Sequence, residues 1–180
     1  ELKRVKLPNI KIALTGGGRV AMIEAQRFPD DYDGIIAGDP GANWNNLMAA
    51  ELWQTRASTD SAAANFPLAK APMVTAAAVA KCDTDDGLKD GLISAPASCH
   101  FDPGVLQCKG GDQPDCLTAA QVDVVRKIYA GPHYPDGRRI SYGLLPGSES
   151  GWGTKYIGIT DVNTQGGVGD RLFIKLTIFN

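Results

Sequence analysis

The fold class predicted from the sequence is α/β, built on a parallel sheet. Three observations predict it: strand and helix signals alternate over residues 1–57, a run of glycines joins the first strand to the first helix, and the chain changes character from residue 58 onward. Asn9–Leu14 is apolar, alternating and rich in isoleucine, as a buried strand requires, and Thr15-Gly16-Gly17-Gly18 then makes a sharp turn. From Arg19 to Phe28, Val20, Ile23, Ala25 and Phe28 share one helical face, with Pro29 as the stop. Asp33–Gly38 reads as a second short strand, closed by Gly38-Asp39-Pro40-Gly41. Asn43–Arg56 reads as an amphipathic helix with Trp44, Leu47, Met48, Leu52 and Trp53 near one face, both tryptophans expected to pack in the core.

The remaining elements are fewer. Met73–Ala80 is alanine-rich and helical, and an Asp-rich loop and the cysteines follow. Thr118-Ala119-Ala120-Gln121 matches a capping box that opens a helix through Val122, Val125, Ile128 and Tyr129, stopped by Gly131-Pro132. Beyond residue 132 the chain is rich in glycine and turns, with Asp136-Gly137 a hairpin candidate and Arg138-Arg139 a solvated pair. The 180 residues are 43% apolar and 21% charged, which excludes wholesale disorder. A net charge of -2 without basic blocks gives nucleic acid no electrostatic footprint. No apolar run reaches the roughly 18–20 residues of a membrane helix, so no membrane partner is expected. The chain opens on Glu1 and stops inside the apolar run Leu172–Phe179, and is read as a piece of a longer protein.

Four cysteines, Cys82, Cys99, Cys108 and Cys116, cluster in a Gly/Pro/Asp-rich stretch, the usage of a local disulfide framework. A zinc site would need paired C-x2–4-C spacing, whereas the gaps are 17, 9 and 8 positions and His100 is the nearest imidazole. Reduced thiols are the other alternative. Of three possible connectivities, the sequential pairing Cys82–Cys99 and Cys108–Cys116 closes the shortest loops. The framework points to an oxidising, extracellular compartment.

A strand running through glycines into a helix is the setting of the nucleophile elbow of α/β-hydrolases, where strain and close packing demand small residues around the nucleophile. Ala13-Leu14-Thr15-Gly16-Gly17 offers a hydroxyl in that frame, and the amide of Gly16 would follow it as an oxyanion donor. A phosphate loop and a plain tight turn are the competing readings. A Walker loop requires Lys-Ser/Thr after the glycines, where Arg19-Val20 stands, and the Rossmann spacing fails because Ala21 occupies the third glycine position.

Cys82–Ile93 packs Asp83, Asp85, Asp86 and Asp90 into eight residues, with Gly87 and Gly91 between them. Like charges this close either splay into water or recruit a hard cation such as calcium. The spacing is not that of an EF-hand, since Gly87 follows Asp83 by four.

The stretch Thr15–Gly38 closely resembles the tannase and feruloyl esterase family. That family's elbow reads Gly-Cys-Ser-Thr-Gly-Gly, followed by a helix ending Glu-Ala-Gln-Arg-Phe/Tyr-Pro and then Asp-Tyr/Phe-Asp-Gly-Ile. Ala42-Asn43-Trp44 and the run from Cys82-Asp83 through Cys99-His100-Phe101-Asp102-Pro103 are similar as well. The resemblance covers most of residues 10–145 and thins after about residue 146. It implies secreted serine esterases with an α/β-hydrolase core and an inserted lid domain. Their substrates are phenolic-acid esters: gallate in tannins, ferulate or coumarate on plant cell-wall polysaccharide, and related aromatic monoesters. On this reading residues 1–57 are part of the core (strand–elbow–helix–strand), and residues 58–180 are part of a disulfide- and calcium-stabilised lid.

The resemblance also implies site residues. Thr15 stands at the nucleophile position with Gly16 as oxyanion donor. A structural calcium ion falls to the carboxylates of Asp83, Asp86 and Asp90 and the carbonyls of Leu88 and Leu92, beside a Cys82–Cys99 bridge. Three positions depart from the family: Thr15 replaces the serine, Leu14 the preceding cysteine and Ala13 the first glycine. The family's cysteine ties the nucleophile's neighbour to that of the catalytic histidine, a bond Leu14 cannot make. The triad's Asp and His follow the lid in the family and are expected outside this chain, His100 and His133 being structural or surface residues. A threonine without its base is nearly inert at neutral pH. The expectation is therefore a carboxylic ester hydrolase of which this chain is a weakly active or inactive fragment. The alternative is a non-enzymatic calcium-binding domain derived from such an esterase.

Overall fold

A computed structural model of the chain describes residues 12–14 and 17–155. They fall into two compact units that divide between Leu47 and Met48, within a helix.

The first unit holds strand β1 (Ile12–Leu14), helix α1 (Gly18–Arg27) and strand β2 (Gly34–Ile36). The strands pair in parallel, with Ile12, Ala13 and Leu14 opposite Gly34, Ile35 and Ile36. Parallel neighbours need a crossover, and α1 supplies it. Helix α1 stops where Pro29 follows Phe28, whose N–H closes the last turn on the Glu24 carbonyl at 2.9 Å. Glu24 accepts a hydrogen bond from the Tyr32 hydroxyl at 3.4 Å. Among the described residues this pair of three-residue strands is the whole sheet and the other elements are helical, so the α/β-hydrolase core expected from the sequence stays an expectation.

The second unit is helical. Helix α2 (Trp44–Thr59) crosses the division between the units. It is followed by α3 (Ala71–Cys82), α4 (Ala119–Ala130) and the short α5 (Trp152–Lys155). Phe66, Val74, Ala78, Leu117, Val122, Val125, Ile128 and Trp152 make the core. Each large apolar side chain buried there contributes roughly 1.5–3 kcal/mol. Trp152 stacks at an angle on Phe66 (centroids 5.9 Å apart) and edge-on to Tyr129 (6.0 Å). Both disulfides take the sequential pairing, Cys82–Cys99 with Cα atoms 5.7 Å apart and Cys108–Cys116 with 5.0 Å.

Helix α4 begins with the reciprocal cap read from its sequence: Thr118 Oγ1 accepts the Gln121 N–H at 3.2 Å, and Gln121 Oε1 accepts the Thr118 N–H at 3.0 Å. The Asp136-Gly137 turn forms as expected, with His133 bridged to Arg139 and Gly137 at φ 83°. Arg138 and Arg139 are not simply solvated, since each guanidinium lies over a tyrosine ring, 4.8 Å from Tyr134 and 4.6 Å from Tyr142. Helix α2 departs from its predicted face. It buries Gln54, Thr55 and Ser58 along with Met48, Ala50 and Ala57, whereas Trp44 stays 42% exposed. Ser58 satisfies its hydroxyl on the Thr55 carbonyl (3.1 Å), so this polar residue enters the interior without an unmet group. Trp53 is half-buried and donates its indole N–H to the Lys127 carbonyl of α4 at 2.8 Å.

Candidate functional site

Thr15 and Gly16, the expected nucleophile and oxyanion donor, lie outside the described residues. The elements that flank them are described. β1 ends at Leu14, and α1 starts at Gly18 from an extended Gly17 (φ -159°) with no side-chain cap. Gly18 is buried, and a Cβ there would come within 2.2 Å of the Gly38 carbonyl oxygen, 2.6 Å of Pro40 N and 2.7 Å of Pro40 Cα. Backbone cannot yield to such contacts, so only glycine lets the first turn of α1 lie against the Gly38-Asp39-Pro40 turn after β2. Asp39 sits in that turn at φ 47°, the one non-glycine positive φ among the described residues. Close approach of helix to strand end, bought with small residues, is what an elbow needs.

The Asp-rich loop is described in full. Asp83 is 7% exposed, and its Oδ1 accepts the N–H groups of Asp90 (3.1 Å) and Gly91 (2.8 Å). Asp86 Oδ1 accepts the Leu88 N–H at 2.8 Å, its Oδ2 accepts the Ser94 hydroxyl, and Asp90 Oδ1 accepts the Leu92 N–H at 3.1 Å. The Ser94 hydroxyl and the Leu88 N–H hold the Asp86 carboxyl below its ordinary 3.8. Gly87 (φ 89°) and Gly91 (φ 81°) make the two left-handed bends that fold the loop back on Asp83.

The five expected ligands thus sit on one short loop and offer only oxygen, the donor chemistry of a hard cation. Each aspartate, however, directs at least one oxygen to a backbone N–H, and among the described residues no three His, Cys, Asp or Glu side chains are grouped to hold an ion. Asp85, outside the expected set, is exposed.

His100 is exposed, and His133 Nδ1 lies 2.9 Å from the Gly131 carbonyl. Two further charged residues, Lys70 and Glu149, are buried. Lys70, 6% exposed, donates to Asp112 Oδ1 (2.5 Å), the Cys116 carbonyl (2.6 Å) and Gln121 Oε1 (3.0 Å). Glu149 is fully buried, accepts the Gly147 N–H on both oxygens (3.0 and 3.1 Å) and accepts the Tyr129 hydroxyl. Burial, and then the Glu149 charge, push the Tyr129 hydroxyl well above its ordinary pKa. A lone lysine in the alanine-rich stretch Leu68–Ala71 is the only hint the sequence carries of the first; for Glu149 there is none.

Known proteins match over most of this length. The family model described as tannase and feruloyl esterase matches residues 14–172. An uncharacterized esterase of Xanthomonas campestris pv. campestris is 45% identical over 133 residues, 73% of this chain and 23% of that protein. A probable feruloyl esterase B-2 of Aspergillus flavus is 36% identical over 135 residues, 74% of this chain and 26% of the relative. The crystal structure of feruloyl esterase B from Aspergillus oryzae superposes with a TM-score of 0.75 at 28% identity, covering 90% of this chain and 32% of that one. The chain spans about a quarter of the length of the curated relatives it matches. With a matched span from the end of β1 to beyond α5, and with Gly18, the Asp-rich loop and both disulfides inside it, the chain belongs to the tannase and feruloyl esterase family.

Proposed function

We propose that the chain is part of a carboxylic ester hydrolase acting on phenolic-acid esters, of the feruloyl esterase or tannase kind, with Thr15 at the nucleophile position and the Gly16 amide as oxyanion donor. The observation that carries this reading is Gly18, the first residue of α1 and two positions after Gly16, packed against the Gly38-Asp39-Pro40 turn with no room for a Cβ. Family membership supplies the reaction class. The ester is a small phenolic acid joined to cell-wall polysaccharide or tannin. Two disulfides support an extracellular setting, and no helix among the described residues is long and apolar enough to cross a membrane.

A threonine hydroxyl attacks an ester only when a base removes its proton, and its β-branch restricts the rotamers open to it. The 180-residue chain is therefore expected to hydrolyse methyl ferulate and methyl gallate weakly, and Thr15→Ala is expected to abolish that turnover. Undiminished hydrolysis by Thr15→Ala would remove Thr15 from the reaction; a rate matching intact family members would overturn the weak-activity reading.

A structural calcium ion belongs to the same proposal. The residues to hold it are Asp83, Asp86 and Asp90 through side chains and Leu88 and Leu92 through carbonyls. When bound, the ion would neutralise carboxylates crowded into one loop; Asp83 would meanwhile keep the loop's backbone N–H groups of residues 90 and 91 in place.

The departures at Leu14 and Thr15 favour a second reading, a non-enzymatic calcium-binding domain derived from such an esterase. Flanking coding sequence separates the two: a downstream Asp and a His-Cys pair belong to the esterase, and their absence to the binding domain.

A further inference from the structure

The two disulfides differ in access. Cys82 and Cys99 are 2% and 8% exposed and belong to the apolar core. Cys108 and Cys116 are half-buried and outside it, and every residue of the loop they close, 109–115, is exposed. That loop, Lys109-Gly110-Gly111-Asp112-Gln113-Pro114-Asp115, has no large apolar side chain to anchor it. Its base is tied by main-chain bonds, Cys108 N–H to the Leu117 carbonyl (2.8 Å) and Leu117 N–H to the Leu106 carbonyl (2.9 Å). Its far side is tied by Lys70, whose ammonium reaches from the interior to Asp112 and to the Cys116 carbonyl. Gln121 Oε1 accepts from both Lys70 Nζ and the Thr118 N–H, so the same ammonium also touches the capping box of α4.

We propose that Cys108–Cys116 is a thiol-exchange site latched by Lys70, and that Cys82–Cys99 is a permanent bridge. Exchange needs a thiolate to reach a sulfur atom, and solvent access decides which of two bridges it finds first. A small thiol of the glutathione class attacks one sulfur as its thiolate. The S–S bond breaks, a mixed disulfide forms, and the other cysteine leaves as a thiolate that takes a proton from water. A second thiolate then attacks the mixed disulfide, releasing the oxidised reagent and the second cysteine thiolate, which is protonated in turn. Two electrons and two protons pass to the protein. The opened loop keeps its main-chain ties at the base, so the unit stays folded. It loses the closure that holds Asp112 against Lys70, and the loosening reaches the first turn of α4 through Gln121.

The test is graded reduction of the native protein with glutathione or dithiothreitol, quenched by alkylation and read by peptide mapping, with far-UV circular dichroism reporting the fold. Cys108 and Cys116 are expected to label together while the spectrum is unchanged, and Cys82 and Cys99 to stay unlabelled until the protein unfolds. Lys70→Met is expected to speed labelling of Cys108 and Cys116 and to leave the other pair unaffected. Asp112→Ala removes the Lys70 acceptor at a side chain that is 56% exposed, so it tests the latch even should Lys70→Met fail to fold. Parallel labelling of all four cysteines, or labelling of Cys108 and Cys116 only on global unfolding, would overturn the exchange site. Unchanged rates in Asp112→Ala would overturn the latch.

Discussion

Asp83→Ala removes the acceptor that the N–H groups of Asp90 (3.1 Å) and Gly91 (2.8 Å) share, at a side chain 7% exposed. A hydrogen bond to a charged acceptor is worth about 1.5–3 kcal/mol. Both donor residues are exposed, so water recovers part of that, and a loss of about 2–4 kcal/mol is expected. For a chain of this size each kcal/mol moves the melting temperature by about 2–4 °C, so the melt should fall by roughly 5–15 °C in EDTA. Asp83→Asn keeps an oxygen for both N–H groups and loses the charge, and should melt within about 1 kcal/mol of the parent in EDTA. Calcium separates the two roles of the residue. At 100 times its dissociation constant a bound ion adds about 2.7 kcal/mol. The parent should therefore gain roughly 5–10 °C on moving from EDTA to calcium, and neither variant should gain as much. Thermal melts of the three proteins in both buffers read every term. If Asp83→Ala melts with the parent in EDTA, the hydrogen-bond argument fails; if Asp83→Asn gains as much from calcium as the parent, the ligand assignment fails.

Thr118→Ala, which deletes half of the α4 capping box, should cost about 1 kcal/mol in urea denaturation. Ile128→Ala, at a fully buried core position, should cost about 2–5 kcal/mol in the same assay. Gly18→Ala, which drives a methyl onto Gly38 and Pro40, should lower both ester hydrolysis and protection of the α1 amides from hydrogen exchange; normal exchange would count against the close packing. The depressed Asp86 carboxyl also sets a direction with pH. Its folded pKa lies below the ordinary 3.8, so its contribution is present above 3.8 and is lost as pH falls through the lower folded value. Ser94→Ala should shrink that acid-side loss, measured as the melting temperature between roughly pH 5 and pH 2, which brackets the ordinary carboxylate range.

What was legible in the sequence was whatever is decided within a turn or two of chain. The capping box at Thr118 and Gln121, the stop of α1 before Pro29, the Asp136-Gly137 hairpin and the acidic loop all depend on neighbours a few residues away. What escaped depends on distant partners. Lys70 is buried because its acceptors lie 42, 46 and 51 residues further on, and no local pattern announces them. The buried face of α2 departs from the apolar pattern because Ser58, whose hydroxyl bonds back to the Gln54 and Thr55 carbonyls, enters the interior beside Met48, Ala50 and Ala57, while Trp44 stays exposed. In the candidate site, the glycine run marked the turn, but three adjacent glycines cannot reveal which is pressed against a neighbour; the contact of Gly18 with Gly38 and Pro40 is tertiary. The acidic loop was visible as composition, and its use of carboxylates to hold backbone N–H groups was not.

The two units rest on different physical supports, and this separates questions that the family resemblance runs together. Residues from Met48 onward have their own apolar core, two disulfides and buried polar ties at Lys70 and Glu149. In the first unit Val20, Phe28, Ile36 and Trp44 are exposed, and among the described residues the sheet is one pair of short strands. Global melting is therefore dominated by the second unit, whereas the ester hydrolysis proposed for this chain would depend on the turn beside Gly18. Substitutions at Thr15 and at Asp83 fall in different units and should act additively on stability. A protein degenerate at its nucleophile would keep the calcium response and lose turnover; one retaining the chemistry would couple neither to the other. Measuring melting and hydrolysis on the same Thr15 and Asp83 variants distinguishes an esterase from a folded relative that no longer is one.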